Sequence, residues 1–219
     1  MSLISSYEAP VQSIVNSKNA KLVIRNMQGA SVTSGGNTDN VVFPAFLTSF
    51  TQNFTSTWNE EVVYGRMDPI ATFQNTRRSI SLAFDIPASS LKVAQENLVE
   101  CDRLAQFLYP TYTEQNAIGE NKTIGKVISK PPLVSVKFAN LVSAGGVNTT
   151  SKEGSGGLLG YLSGLDWSPD LAMGMFADGA NNLFPKVISL SFTLNVLHQN
   201  VKGFVNGKWA SNSFFGGHK

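Results

Sequence analysis

Phosphate binding, metal ligation and nucleophilic attack each need particular residue types at fixed spacing, and this chain offers only near misses. Gly119 to Lys126 has the outline of a phosphate loop, but it is one residue too long, and Val127 stands where a magnesium-binding hydroxyl is required. Gly154, Gly156 and Gly160 are also one residue off the dinucleotide fingerprint, and no strand–helix–strand pattern surrounds them. His198 and His218 are the only histidines and form no ligand pair. With Cys101 the single cysteine, a zinc site would have to lean on a carboxylate cluster that the sequence does not present. Ser163 lies in Gly160-Tyr161-Leu162-Ser163-Gly164, which is not the G-x-S-x-G of a nucleophile elbow. His198, at the end of an apolar alternating run, reads as a turn or interface residue rather than a general base. Carboxylates that pair in space need not be neighbours in sequence, but no pattern nominates such a pair. The expectation is a non-enzymatic chain with no cofactor and no metal.

One polar constellation remains: Arg66, Asp68, Arg77 and Arg78. Local ion pairing that fixes a turn is one reading, and a bidentate contact to an adjoining subunit is the other. The elements that would position it are two long alternating segments around Tyr64-Gly65-Arg66-Met67-Asp68-Pro69. Phe46, Thr48, Phe50, Gln52 and Phe54 step two residues at a time along one face, and Ile80, Leu82, Phe84 and Ile86 do the same after the turn. Trp58 and Tyr64 flank Asn59-Glu60-Glu61, whose adjacent carboxylates are costly to bury, so this region reads as a solvated hairpin shoulder.

A helix follows, over roughly Ser89 to Tyr109. Ser89 or Ser90 supplies the N-cap, Leu91, Ala94, Leu98, Cys101, Ala105 and Leu108 share one face, and Pro110 stops the run. Cys101 on that stripe reads as buried filler. Further strands are expected at Leu22–Ile24, at Val134, Val136 and Phe138, at Leu162, Leu165 and Trp167, and over Ile188–Val196, whose second face is uncharged. Thr111 to Lys130 reads as a polar excursion, Asn140 to Gly160 as a long connection, and Leu171 to Phe184 as a loop or broken helix.

At 219 residues the chain suits one domain, residues 1–219, with an N-terminal arm at 1–20 and a Gly- and aromatic-rich tail at 200–219. A net charge of +2, from 17 basic and 15 acidic residues, gives no general attraction to nucleic acid or acidic lipid. Charged residues are only 15% of the chain, which points to a surface that meets other subunits. The single cysteine excludes an internal disulfide, and no segment has the length and apolarity of a membrane span or signal peptide, so no membrane insertion is expected.

The series Val63-Tyr64-Gly65-Arg66-Met67-Asp68-Pro69-Ile70, Thr76-Arg77-Arg78-Ser79-Ile80-Ser81-Leu82-Ala83-Phe84 and Phe184-Pro185-Lys186-Val187-Ile188-Ser189-Leu190-Ser191-Phe192, with Val196-Leu197-His198, resembles baseplate tube-initiator proteins of contractile-tailed phages and related injection machines. Similar stretches occur in baseplate proteins that carry a peptidoglycan-binding LysM module, and no LysM-like segment follows here. The resemblance implies a mainly β, tail-tube-like sandwich or open barrel with one flanking helix, whose hairpins join those of neighbours in a ring, usually six-fold. It implies a structural component of the virion, made in the host cytoplasm, that links the central hub to the tail tube and initiates tube polymerisation. Its partners would be further copies of itself, the tail tube protein, and hub and wedge proteins. Its channel would pass DNA without sequence-specific binding. Candidate interface residues are Trp58, Tyr64, Arg66, Met67, Asp68, Arg77, Arg78, Trp209, Phe214 and Phe215. The competing readings are a LysM-branch protein lacking its module, a glycan- or peptide-binding β-sandwich using Trp58, Trp167 and Trp209, and a hydrolase without a sequence signature.

Overall fold

Apolar and polar residues alternate along most of the chain, and in the computed structural model that alternation becomes strands. The structure describes residues 21–28, 40–116, 123–139, 141–143, 156–179, 181–199 and 203–209. The readings of the N-terminal arm, of Phe214 and Phe215, and of most of 140–155 fall outside these. The strands are β1 (Leu22–Asn26), β2 (Asn40–Phe43), β3 (Phe46–Glu61), β4 (Ile70–Pro87), β5 (Thr111–Asn116), β6 (Thr123–Lys130), β7 (Val134–Phe138), β8 (Leu158–Pro169), β9 (Met175–Ala177), β10 (Leu183–Pro185), β11 (Val187–Val196), β12 (Phe204–Val205) and β13 (Lys208–Trp209). Among the described residues the only helix is α1 (Leu91–Gln106). The class is mainly β, as the sequence led us to expect.

Seven strands form one antiparallel sheet in the order β2-β1-β7-β8-β11-β4-β3. Laid flat at about 4.8 Å per strand, β2 and β4 would stand roughly 24 Å apart. Instead the rings of Phe43 on β2 and Phe84 on β4 are 5.9 Å apart. The sheet therefore curls until its two halves face each other, and the barrel stays open. The bend falls at β7–β8, which pair only through Val134↔Gly160, Ser135↔Leu159 and Val136↔Leu158. The halves are a three-stranded layer, β2-β1-β7, and a four-stranded layer, β8-β11-β4-β3. Between them lie Leu22, Ile24, Val41, Phe43, Ile80, Leu82, Phe84, Val136, Leu190, Phe192 and Leu194, all buried. The edge-on Phe84–Phe192 pair, at 6.0 Å, joins β4 to β11 inside this core.

β11 buries Ile188, Leu190, Phe192, Leu194 and Val196 and leaves the alternate residues partly open, as its sequence predicts. β3 does not keep the single face expected of it. A bulge between Leu47 and Ser49 makes Thr48 an extra residue, so Leu47 opposes Phe84 while Phe46 swings out to pair with Asp85. Phe46 is exposed in consequence.

α1 is shorter than 89–109. The Val93 amide donates to Oγ of Ser90 at 3.4 Å to start it, and after Gln106 the chain tightens into i→i+3 bonds from Leu108 to Ala105 and from Tyr109 to Gln106. Its buried face is also turned from the expected one, comprising Ala94, Asn97, Cys101 and Leu104. The Asn97 amide reaches the Pro87 carbonyl at 3.5 Å, so a polar side chain sits inward where Leu98 was expected. Gln28, buried beyond β1, donates to the Tyr109 carbonyl at 3.0 Å and accepts from Thr111 at 2.8 Å, tying the exit of α1 to the sheet.

Three segments read as irregular are hairpins. Thr111–Lys130 contains the ribbon β5–β6, Leu171–Phe184 contributes most of β9–β10, and the tail holds β12–β13. β2 was hidden in sequence at the end of a Gly-, Ser- and Thr-rich stretch. Ser135 is buried together with Val134 and Val136, so β7 is covered on both faces rather than one.

Candidate assembly surface

β3 and β4 pair all the way from Phe46↔Asp85 to Glu61↔Ile70, but β11 accompanies β4 only as far as Ser79. The remaining nine or so residues of β4 and their β3 partners project about 30 Å as a two-stranded arm. From Asn53 to Arg77 every side chain except Thr57 is exposed. Its tip turns at Gly65, whose φ of +88° suits a residue without a Cβ. Phe54, Trp58 and Phe73 remain exposed, with Trp58 and Phe73 edge-on at 5.2 Å. Two-stranded ribbons are marginally stable alone in water, and this one is long and exposes several aromatic side chains.

The arm carries most of the expected interface residues. Trp58, Tyr64, Arg66, Met67, Asp68 and Arg77 are all exposed on it, and Tyr64 and Met67 are fully so. The four-residue polar constellation is not brought together. No ion pair links Arg66, Asp68, Arg77 and Arg78 to one another; among the described residues the surface pairs are Lys92–Glu96 and Glu100–Arg103, both within α1. Arg78 faces inward at the root of the arm, 2% exposed, where it donates to Oε1 of Gln52 at 2.8 Å and lies 5.5 Å from the Phe54 ring centroid. Burial lowers its pKa from the ordinary arginine value, and the Gln52 and Phe54 contacts replace part of the water it loses. Arg78 is thus a root residue rather than a free interface cation. Trp209 belongs to β13, outside the main sheet.

The face of the four-stranded layer turned away from the core is paved with small polar groups that bond across strands. Oγ of Ser81 and Oγ1 of Thr193 are 3.0 Å apart. Ser189 donates to Asp85 at 2.7 Å, Ser191 to Asp166 at 3.1 Å, and Asn195 to Ser163 at 2.8 Å. Ser163 is thereby a member of this network. The depression at its centre, between Ser49, Ser81, Ser163, Asp166 and Thr193, holds about 160 Å³ and is open, well below the few hundred Å³ of a small-molecule site. Sequence reading found the uncharged face of β11 but missed its carboxylate partners Asp85 and Asp166, because strand neighbours are not sequence neighbours.

The borders of this layer are the third feature. β3 pairs with β4 alone, and β8 beyond Gly160 pairs with β11 alone, so among the described residues both outer edges present unsatisfied ladder positions. Beside the β8 edge, on the core side, runs an apolar groove of about 470 Å³ between Leu98, Cys101 and Ala105 of α1 and Leu165 and Trp167 of β8. Burial, with Glu100 adjacent, pushes the Cys101 thiol up to about 12, so it lies there as neutral apolar filler. Trp167 is level with Leu47 across the sheet, through Leu190 and Phe84, whereas Trp58 lies out on the arm at the opposite edge, so the two do not form one aromatic platform.

No group of three or more His, Cys, Asp or Glu side chains able to hold a metal occurs among the described residues. No helix among them is long and apolar enough to cross a membrane. The sequence matches no protein-family model and no curated protein.

Proposed function

We propose that this chain is a structural ring component of a contractile-tail baseplate, joining the central hub to the tail tube and initiating tube polymerisation. The observation that carries the reading is the four-stranded layer whose two borders are unpaired among the described residues. Its strands alternate in direction and are even in number, so a copy related by rotation alone offers β3 running opposite to the neighbour's β8. Head-to-tail joining thus continues an antiparallel ladder indefinitely, and a rotation that closes turns it into a hollow cylinder. The hydroxyl-paved face would then line the channel, since the other face is occupied by the core and α1.

The arm suits the second half of the reading. It extends along the strand direction past the end of β11, which in a ring is where the next ring of a tube would stack. The ring therefore meets its neighbours sideways through strand edges and axially through the arm. The test is native mass spectrometry with negative-stain imaging of the purified chain, alone and with its tube protein. Rings whose mass is a multiple of the protomer, most simply six, are expected, with tube growth from them. A protein that stays monomeric in both conditions, or that binds glycans as a monomer, would overturn the reading.

A further inference from the structure

An interface made only of the β3 and β8 edges has little to drive it. Main-chain bonds formed there replace bonds to water, and the channel-side residues are mostly serine, threonine, asparagine and aspartate, which release little apolar surface, with Phe46 on β3 and Tyr161 on β8 the exposed aromatics among them. Further apolar surface is available on the core side of the junction. On β8 that side carries Leu165 and Trp167, the latter 46% exposed, at the mouth of the groove against α1. On β3 it carries Phe50, Gln52 and Phe54, which oppose the inward residues Leu82, Ile80 and Arg78 on β4; Phe50 is half-buried against the core, Gln52 holds Arg78, and Phe54 is the exposed one. Both apolar surfaces therefore lie on the same side of the layer, one at each free edge.

We propose that the groove between α1 and β8 is the seat for β3 of a second copy, whose Phe50 and Phe54 come down on Leu165 and Trp167 as the two edges pair. This rests on the ring reading and names the surfaces that make the ring cohere. Continuing the sheet from β8 into the neighbour's β3 preserves the faces, so inward residues meet inward residues without any further movement. The contact is heterologous, a patch on one edge filling a hollow on the other, and each copy keeps one of each to pass on. Second copies fit better than an unrelated chain, because the same edge pairing satisfies the ladder and the groove together.

Cross-linking tests it on the full chain. In a Cys101→Ala background, Phe54→Cys and Leu98→Cys are made separately and mixed, and mild oxidation is followed on a non-reducing gel. A covalent dimer is expected from the mixture and not from either variant alone, nor from Phe54→Cys mixed with the exposed control Glu96→Cys. Independently, Leu98→Glu should weaken assembly by about tenfold or more while the monomer's thermal midpoint holds, because a carboxylate would be buried in an apolar seat. Rings that form without the cross-link, and that tolerate Leu98→Glu, would overturn the groove contact and leave the ring intact. Failure of the unmodified chain to assemble at any concentration, with or without tube protein, would overturn the ring and the groove contact with it.

Discussion

Arg78 shows how strand geometry divides residues that look alike in sequence. Adjacent strand residues point to opposite faces, so Arg77 and Arg78 cannot act as a pair, and that much was legible from the alternation of Ile80, Leu82 and Phe84. The burial of Arg78 was not legible, because it depends on Gln52 and Phe54 arriving from β3 in a register that the Thr48 bulge sets. Replacing Arg78 with alanine removes a charge-assisted hydrogen bond, the Phe54 contact and a buried aliphatic stem. It should lower stability by about 1–3 kcal/mol, measured as a reduced urea midpoint at unchanged slope. An unchanged midpoint would mean the guanidinium's desolvation cancels what its contacts contribute.

Elements were readable where one period dominates and misread where a single inserted residue resets it. β11 has no bulge of its own, and its faces follow directly from its sequence. β3 and β8 carry extra residues, Thr48 and Gly164, and β4 carries Gln74; the Gly164 insertion shows as the odd step from Leu162 to Leu165, whereas Thr48 leaves no mark that alternation can detect. α1 was misjudged by rotation rather than existence. The buried face carries Ala94, Cys101, Leu104 and, just past the helix, Phe107, and Asn97 is accommodated among them by its contact with the Pro87 carbonyl. The arm is the element most separable from the rest. Replacing residues 56–76 by Asn-Gly joins the register partners Thr55 and Arg77 through a two-residue turn. The shortened chain should fold with a thermal midpoint within about 3 °C of the parent, yet fail to nucleate tubes in light scattering. Loss of the fold would show that the arm belongs to the core after all.

For the molecule as a whole, the sequence conveyed a strand-rich chain with one helix and a thinly charged surface, but not the curl that brings Phe43 against Phe84 from strands five places apart. Such long-range closure depends on where the β7–β8 pairing stops, which is a property of several strands at once. Thin charge has a measurable consequence for assembly. With ion pairs among the described residues confined to the outside of α1, ring formation through ladders and apolar seats should vary little between about 0.1 and 0.5 M salt, by analytical ultracentrifugation. Dissociation across that range would point to an electrostatic interface instead.

The serine, threonine, asparagine and aspartate side chains paving the outer face of the four-stranded layer already hold one another. Much of their appetite for partners is spent locally. In the proposed ring, whatever passed over them would meet few free hydrogen-bonding groups to catch on, as over a lubricated bore.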